Sequence, residues 1–207
     1  MNEIIETSIN DYLESSYNLQ VTDSDEFIES GEWYYIQSNI KNNIGLLKSL
    51  KHNNLLPDEI NICDAGIGLG TILFDLYLQS KEFTDNKFTF TGIEKYEIYI
   101  DYLNNNLIKY WDNQLELIHD DIMNQDFSKY NFIYFYTPFR TSEKLMEFYL
   151  KIVNEMPKGG IVIGLDHYRI HTYGSPELIE KFKELKYHNI EGEDNILFSK
   201  YQLFQKL

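Results

Sequence analysis

The stretch Asp64-Ala65-Gly66-Ile67-Gly68-Leu69-Gly70-Thr71 decides how this chain reads. An apolar run at residues 60–65 enters it as a buried strand would, and a helix-spaced set, Leu69, Ile72, Leu73, Leu76 and Leu78, leaves it. Three glycines at alternate positions let the backbone turn tightly and let a ligand approach without a Cβ in the way. A strand before and a helix after are the context that a nucleotide-binding turn requires. Gly66, Gly68 and Gly70 also fit a turn that serves packing alone. Twenty-four positions beyond Gly70, at the end of a second apolar run (88–93), stands Glu94, where a carboxylate can accept the hydroxyls of a ribose. Asp64 narrows the choice of ligand. A pyrophosphate over this turn would be repelled by a carboxylate two residues before the first glycine, whereas a phosphate-free cationic nucleoside would be attracted.

Outward from the turn, short apolar runs alternate with amphipathic segments. After the run at 88–93 comes a helix carrying Ile98, Ile100, Leu103 and Leu107, then strands at 115–118 and 132–136. A helix with Leu145, Phe148, Tyr149 and Ile152 leads through Pro157-Lys158-Gly159-Gly160 to a fifth strand at 161–165. This alternation predicts βαβ units and a doubly wound α/β sheet, mostly parallel and covered on both faces. Two further strand-like runs, 182–189 and 196–204, flank the polar turn Glu191-Gly192-Glu193-Asp194 and read as a terminal antiparallel hairpin. Ahead of the sheet, residues 2–30 are acidic and loosely amphipathic (Ile5, Ile9, Tyr12, Leu13), and a helix is expected from about Ser38 through Ile40, Ile44, Leu47 and Leu50. The parse is a helical extension at 1–54 and a ligand-binding domain at 55–207.

Composition sets the remaining bounds. Eighteen Lys and Arg against 33 Asp and Glu give a net charge of −15 in 207 residues, which disfavours nonspecific nucleic-acid binding because that affinity comes from a basic surface. The only alanine is Ala65 and the only arginines are Arg140 and Arg169, a skew that reads as coding bias towards A and T. Cys63 is the single cysteine, which excludes an intramolecular disulfide and a cysteine metal cluster. No apolar run approaches ~18 residues and the acidic start lacks a signal peptide's regions, so a soluble, cytoplasmic protein without membrane partners is expected.

From about residue 55 to 205 the chain resembles a class I S-adenosylmethionine-dependent methyltransferase, with a Rossmann-like seven-stranded sheet. The family's first motif, D-x-G-x-G-x-G, is present without gaps in Asp64, Gly66, Gly68 and Gly70, and Glu94 of Thr91-Gly92-Ile93-Glu94-Lys95 matches its ribose-holding acid. His119-Asp120-Asp121-Ile122 resembles the segment whose aspartate takes the adenine amino group; Asp121 would do so here, with the backbone of Ile122 facing the ring. The turn at 157–160 and the closing hairpin also match. The resemblance implies S-adenosylmethionine as cofactor, bound by Asp64, Gly66, Gly68, Gly70, Glu94, Lys95, Asp121 and Ile122. Asp121 fits equally as an N-cap, and Asp120 reads as a solvated loop residue.

The family's amino-group enzymes carry Asn- or Asp-Pro-Pro-aromatic after the fourth strand, whose aromatic, matched here by Phe139, stacks on the substrate. This chain has Tyr136-Thr137-Pro138-Phe139, which departs at the first two positions and speaks against base N-methylation. Tyr136 is the catalytic candidate, able to hydrogen-bond an amine; it reads equally as an aromatic capping the strand. Asp166, His167 and His171 form a two-His, one-carboxylate set better read as a loop than as a metal site, and no metal is expected. Trp33, Tyr34 and Tyr35 resemble lid aromatics. The leading expectation is methyl transfer to an acceptor favoured as a protein or small molecule. A donor-binding protein without transferase activity is the alternative, and an NAD-dependent oxidoreductase stands third, opposed by Asp64.

Overall fold

The computed structural model describes residues 45–111, 114–136, 138–139, 141–164, 180–185 and 202–207. Four helices are described, α1 (Leu46–His52), α2 (Thr71–Ser80), α3 (Glu97–Asn106) and α4 (Ser142–Glu155). The strands are β1 (Glu59–Ala65), β2 (Lys87–Glu94), β3 (Leu115–His119), β4 (Phe132–Phe135), β5 (Ile161–Gly164), β6 (Phe182–Leu185) and β7 (Gln202–Lys206). They form one mixed sheet in the order β3-β2-β1-β4-β5-β7-β6. β1 pairs parallel with β2 and β4, β2 with β3, and β4 with β5, while β7 runs antiparallel to both β5 and β6.

Alternation along each strand divides the core in two. Ile60 and Ile62 of β1, Phe90 of β2, Phe132 and Tyr134 of β4 and Ile161 and Ile163 of β5 pack with α1, α2 and α3. Cys63, Ala65, Ile93, Ile133, Phe135 and Val162 pack on the other face with α4, which contributes Leu145, Phe148, Tyr149 and Ile152. Phe74, Tyr77, Phe90 and Trp111 make the densest aromatic group of the first core; Tyr77 and Trp111 have ring centroids 4.6 Å apart. On the second face Gly164 makes room, since a Cβ there would run into the Tyr149 hydroxyl and Phe135.

Left-handed glycines cap two described helices, and the α2 start falls later than periodicity predicts; residues 38–44 of the other expected helix lie outside the described residues. Gly45 (φ 75) and Gly70 (φ 73) take the left-handed conformation as N-caps, so α1 begins at Leu46 and α2 at Thr71. Leu46, Leu47 and Leu50 of α1 are buried in the same core as β1 and β2, and α1 therefore belongs to the sheet's packed unit rather than to a separate extension. The rest of the N-terminal helical reading, Trp33 to Tyr35, the cluster at 166–171 and the turn at 191–194 lie outside the described residues. No described helix is long and apolar enough to cross a membrane.

Candidate functional site

The glycine turn leaves the carboxyl end of β1 in the middle of the sheet. Gly66 (φ 87), Gly68 (φ 52) and Gly70 (φ 73) are all left-handed. The N–H groups of Gly66 and Ile67 both donate to the Ile93 carbonyl at 2.9 Å, and Gly70 N–H donates to the Ile67 carbonyl at 2.8 Å, which closes the loop on itself. Among the described residues a Cβ placed on Gly66 would meet nothing within 4 Å, so they leave open space over the turn there. On Gly70 it would strike the side chains of Leu107 and Leu103 at 2.6 and 2.9 Å; that glycine serves packing as well as dihedral freedom. Gly92 was not among the sequence candidates, yet a side chain there would run into Ile67, the inner residue of the turn. A glycine inside an otherwise β-branched and aromatic strand was the available signal.

Glu94 is 6% exposed and clamps the turn to the start of the next loop. Its Oε2 accepts the Gly68 N–H at 3.0 Å, and its Oε1 accepts the N–H groups of Lys95 at 2.9 Å and Tyr96 at 3.0 Å. A carboxylate offers about four lone-pair sites, so these three charge-assisted bonds leave at most one for a ligand hydroxyl. Accepting both ribose hydroxyls would require one N–H to let go. Tyr96 is thus a second residue that sequence reasoning missed, because it acts through its backbone.

Asp64 is the unusual group. It is 3% exposed, and its carboxylate makes no hydrogen bond among the described residues. Burial, and after it the negative charge of Glu94, push its pKa well above the ordinary carboxylate range. The charged group that acts on it is another acid. An uncompensated buried carboxyl costs stability, and a cationic or proton-donating ligand would relieve that cost.

Asp120 and Asp121 organise the loop after β3. Asp121 Oδ1 caps a short 3-10 turn (Ile122–Asn124) by accepting the Met123 N–H at 2.9 Å, and its Oδ2 lies 3.6 Å from Lys95 Nζ. Asp121 is a cap, then, as well as a neighbour of the turn. Asp120 does more than the solvated role read from sequence: it accepts the Asp121 N–H, Asn124 Nδ2 and Gln125 Nε2, which hold its carboxyl below the usual range, the Asn124 bond foremost. Its own N–H donates to the Glu94 carbonyl at 3.0 Å, and His119 Nε2 lies 3.0 Å from the Lys95 carbonyl. Glu94, Lys95 and Asp121 are therefore brought together; the Ile122 side chain is buried in the second core, leaving only its backbone to the loop's outer face.

Asp64 pairs with Tyr134, so Tyr136, two residues further along, leaves the sheet beside the glycine turn. It is half-buried against the first core, and its hydroxyl makes no hydrogen bond among the described residues. Phe139, which the motif reading offers as a substrate-stacking aromatic, is 2% exposed and packs edge-on against Phe148, with centroids 5.7 Å apart. It is a core residue. Thr137 lies outside the described residues, and no metal-binding group of three or more His, Cys, Asp or Glu occurs among those described.

No family model and no curated protein sequence matches the chain. Solved structures do. The proposed methyltransferase YhhF from Escherichia coli superposes with a TM-score of 0.58 at 14% identity, covering 84% of this chain and 88% of that one. The precorrin-6y C5,15-methyltransferase from Geobacter metallireducens gives 0.51 at 13% identity, covering 83% and 89%. A proposed class I S-adenosylmethionine-dependent methyltransferase from Listeria monocytogenes gives 0.57 at 14% identity and covers 84% of this chain. The chain shares the fold of these proteins. It spans 63% of the length of the Listeria protein.

Proposed function

We propose that this chain is an S-adenosylmethionine-dependent methyltransferase, a doubly wound enzyme whose sheet closes in a C-terminal antiparallel hairpin, with a helical extension that precedes α1. The observation that carries the reading is Asp64, a buried acid that makes no hydrogen bond among the described residues, set beside Glu94 beneath a left-handed glycine turn with open space among those residues over Gly66. That combination suits a nucleoside bearing a sulfonium and an ammonium, and it repels a pyrophosphate. The same fold in methyltransferases supports it.

The residues divide the work by position. Gly66, Gly68 and Gly70 give the donor backbone contact, Asp64 faces its cationic end, Glu94 takes one ribose hydroxyl, and Lys95, Asp121 and the Ile122 backbone border the adenine. When bound, the donor supplies an activated methyl group that passes to a nucleophile by in-line displacement. The protein's share is alignment of that nucleophile about 3 Å from the methyl carbon and exclusion of water. The Tyr136 hydroxyl, at the neighbouring strand end, is placed to hold the acceptor. With a net charge of −15 the acceptor is a protein or small molecule rather than a nucleic acid, in a cytoplasmic setting.

Isothermal titration of the full chain with S-adenosylmethionine, its demethylated product and NAD tests the reading. Binding of the first two and not of NAD is expected. Asp64→Asn should weaken donor binding on the order of 10- to 100-fold, the loss of a hydrogen bond to a charged group. The same change should raise the melting temperature of the ligand-free protein at pH 7. The sign follows from the raised pKa: the folded state is favoured while Asp64 holds its proton, and that advantage is lost as pH rises through the folded value, so a neutral amide removes a cost. NAD binding, or unchanged donor affinity in the variant, would overturn the proposal.

A further inference from the structure

Among the described residues, the covering of the second sheet face is incomplete. α4 packs over β4 and β5, but the connection at residues 120–131, between β3 and β4, carries only the 3-10 turn Ile122–Asn124. No described helix lies over that face of β2 and β3. A cavity of about 430 Å³ opens there, within the size range of small-molecule sites. Its walls include Asn61 of β1, Thr89 and Thr91 of β2, Glu116 of β3, and Lys129 and Tyr130 of the connection.

A solvated sheet face would also carry Thr, Asn and Glu, so polarity alone decides nothing. Three further features do. Tyr130 is 3% exposed, and its buried hydroxyl has no partner at hydrogen-bond geometry, although Thr91 and Lys129 stand beside it. The Thr91 hydroxyl is likewise buried and reaches Glu116 Oε2 only at 3.4 Å, while Thr89 Oγ1 donates to Asn61 Oδ1 at 2.7 Å. Finally, Lys129 and Glu116 border one cavity with opposite charge and form no ion pair with each other; the Lys129 ammonium instead lies 5.0 Å from the centre of the Tyr130 ring. A cation and an anion held apart over a floor of hydroxyls complement a molecule with one charge of each sign.

We propose that this cavity is a second ligand site, for a small zwitterion of free-amino-acid size, with its carboxylate on Lys129 and the Tyr130 hydroxyl and its ammonium on Glu116 and Thr91. The site does not depend on the methyltransferase reading. It lies three residues before Glu94 on β2, about 10 Å along the strand, and the 120–131 connection supplies residues to both places.

The test is a backbone-amide NMR titration of the full chain with L-serine, L-glutamine, L-lysine and L-glutamate in turn, and with acetate and methylammonium as single-charge probes. At least one amino acid should saturate with a dissociation constant below about 1 mM. The shifts should centre on residues 89–91, 115–117 and 129–130, and acetate and methylammonium should bind roughly tenfold more weakly or not at all. Lys129→Ala and Glu116→Gln alter exposed side chains and should keep the fold, and each should weaken binding roughly 10-fold or more. Glu94→Gln should leave it unchanged. No saturation by any amino acid, shifts confined to residues 66–70, equal binding of acetate, or indifference to both variants would each overturn the proposal.

Discussion

The carboxyl ends of β1 and β4 lie side by side and could hardly be built more differently. At the end of β1 the chain accepts three left-handed glycines and a buried acid, Asp64, that makes no hydrogen bond among the described residues, with the buried Glu94 of β2 beside it. At the end of β4 the aromatic residues are absorbed into the cores: Phe135 and Phe139 both pack edge-on against Phe148, and Tyr136 lies against the opposite core. The first region is organised for something that is not protein, and its cost in the ligand-free fold is what marks it. The second is organised for stability, with the Tyr136 hydroxyl unbonded among the described residues. On the proposed reading, the strained end would define what is bound, while the packed end would set where the partner of the reaction stands.

The largest effect expected is at the packed end. Phe139→Ala would empty a fully enclosed site and should destabilise the fold by about 3–5 kcal/mol, measured by urea denaturation, with donor affinity of the folded protein unchanged. A drop in donor affinity instead would erase the division between the two regions. Next is a half-buried acid away from both ends. Asp75 of α2 has its pKa raised to about 6 by burial, against a smaller opposing effect of its hydrogen bond from Gln79. Its stabilising protonated state is present below about pH 4 and is lost as pH rises through 6. The penalty at pH 7 is therefore at most roughly 3 kcal/mol. Asp75→Asn should stabilise at pH 7 and do little at pH 4 by thermal denaturation at each pH, with donor binding intact. Together with Asp64→Asn this separates an acid kept for a ligand from one that is not.

Much of this arrangement is readable from residues alone, and the unread part has a common cause. The order of strands and helices follows from local periodicity, and the glycine turn from its flanks. The left-handed Gly70 moves the start of α2 because a cap conformation leaves no periodic trace. Glu94 announces itself as an acid at a strand end, but its use as a clamp depends on N–H groups of Gly68 and Tyr96 that carry no side-chain signature. Phe139 misleads for the opposite reason: a motif assigns it to a substrate, and only the packing of α4 shows the ring turned inward.

The glycines themselves give a finer comparison. Gly66→Ala forces a left-handed alanine into open space and should cost about 1–2 kcal/mol of backbone strain alone. Gly70→Ala adds contact with Leu103 and Leu107 to similar strain and should cost more. Equal losses in denaturation midpoints would mean that the α2 to α3 packing gives way freely. If both also abolish donor binding, the turn's shape rather than its open space is what the ligand reads.

The smallest effect on the fold, and the most informative about chemistry, is at Tyr136. Its hydroxyl makes no hydrogen bond among the described residues, so Tyr136→Phe should change stability by less than about 0.5 kcal/mol and leave the donor's dissociation constant alone. A hydroxyl that positions an acceptor would still be missed during transfer. Labelled-methyl incorporation from the donor into fractionated protein and metabolite pools should then fall, by roughly 10- to 100-fold if the lost bond is made to a charged or reacting amine. Unchanged transfer with unchanged stability would make Tyr136 a strand cap and nothing more, and would move the acceptor's anchor away from the end of β4.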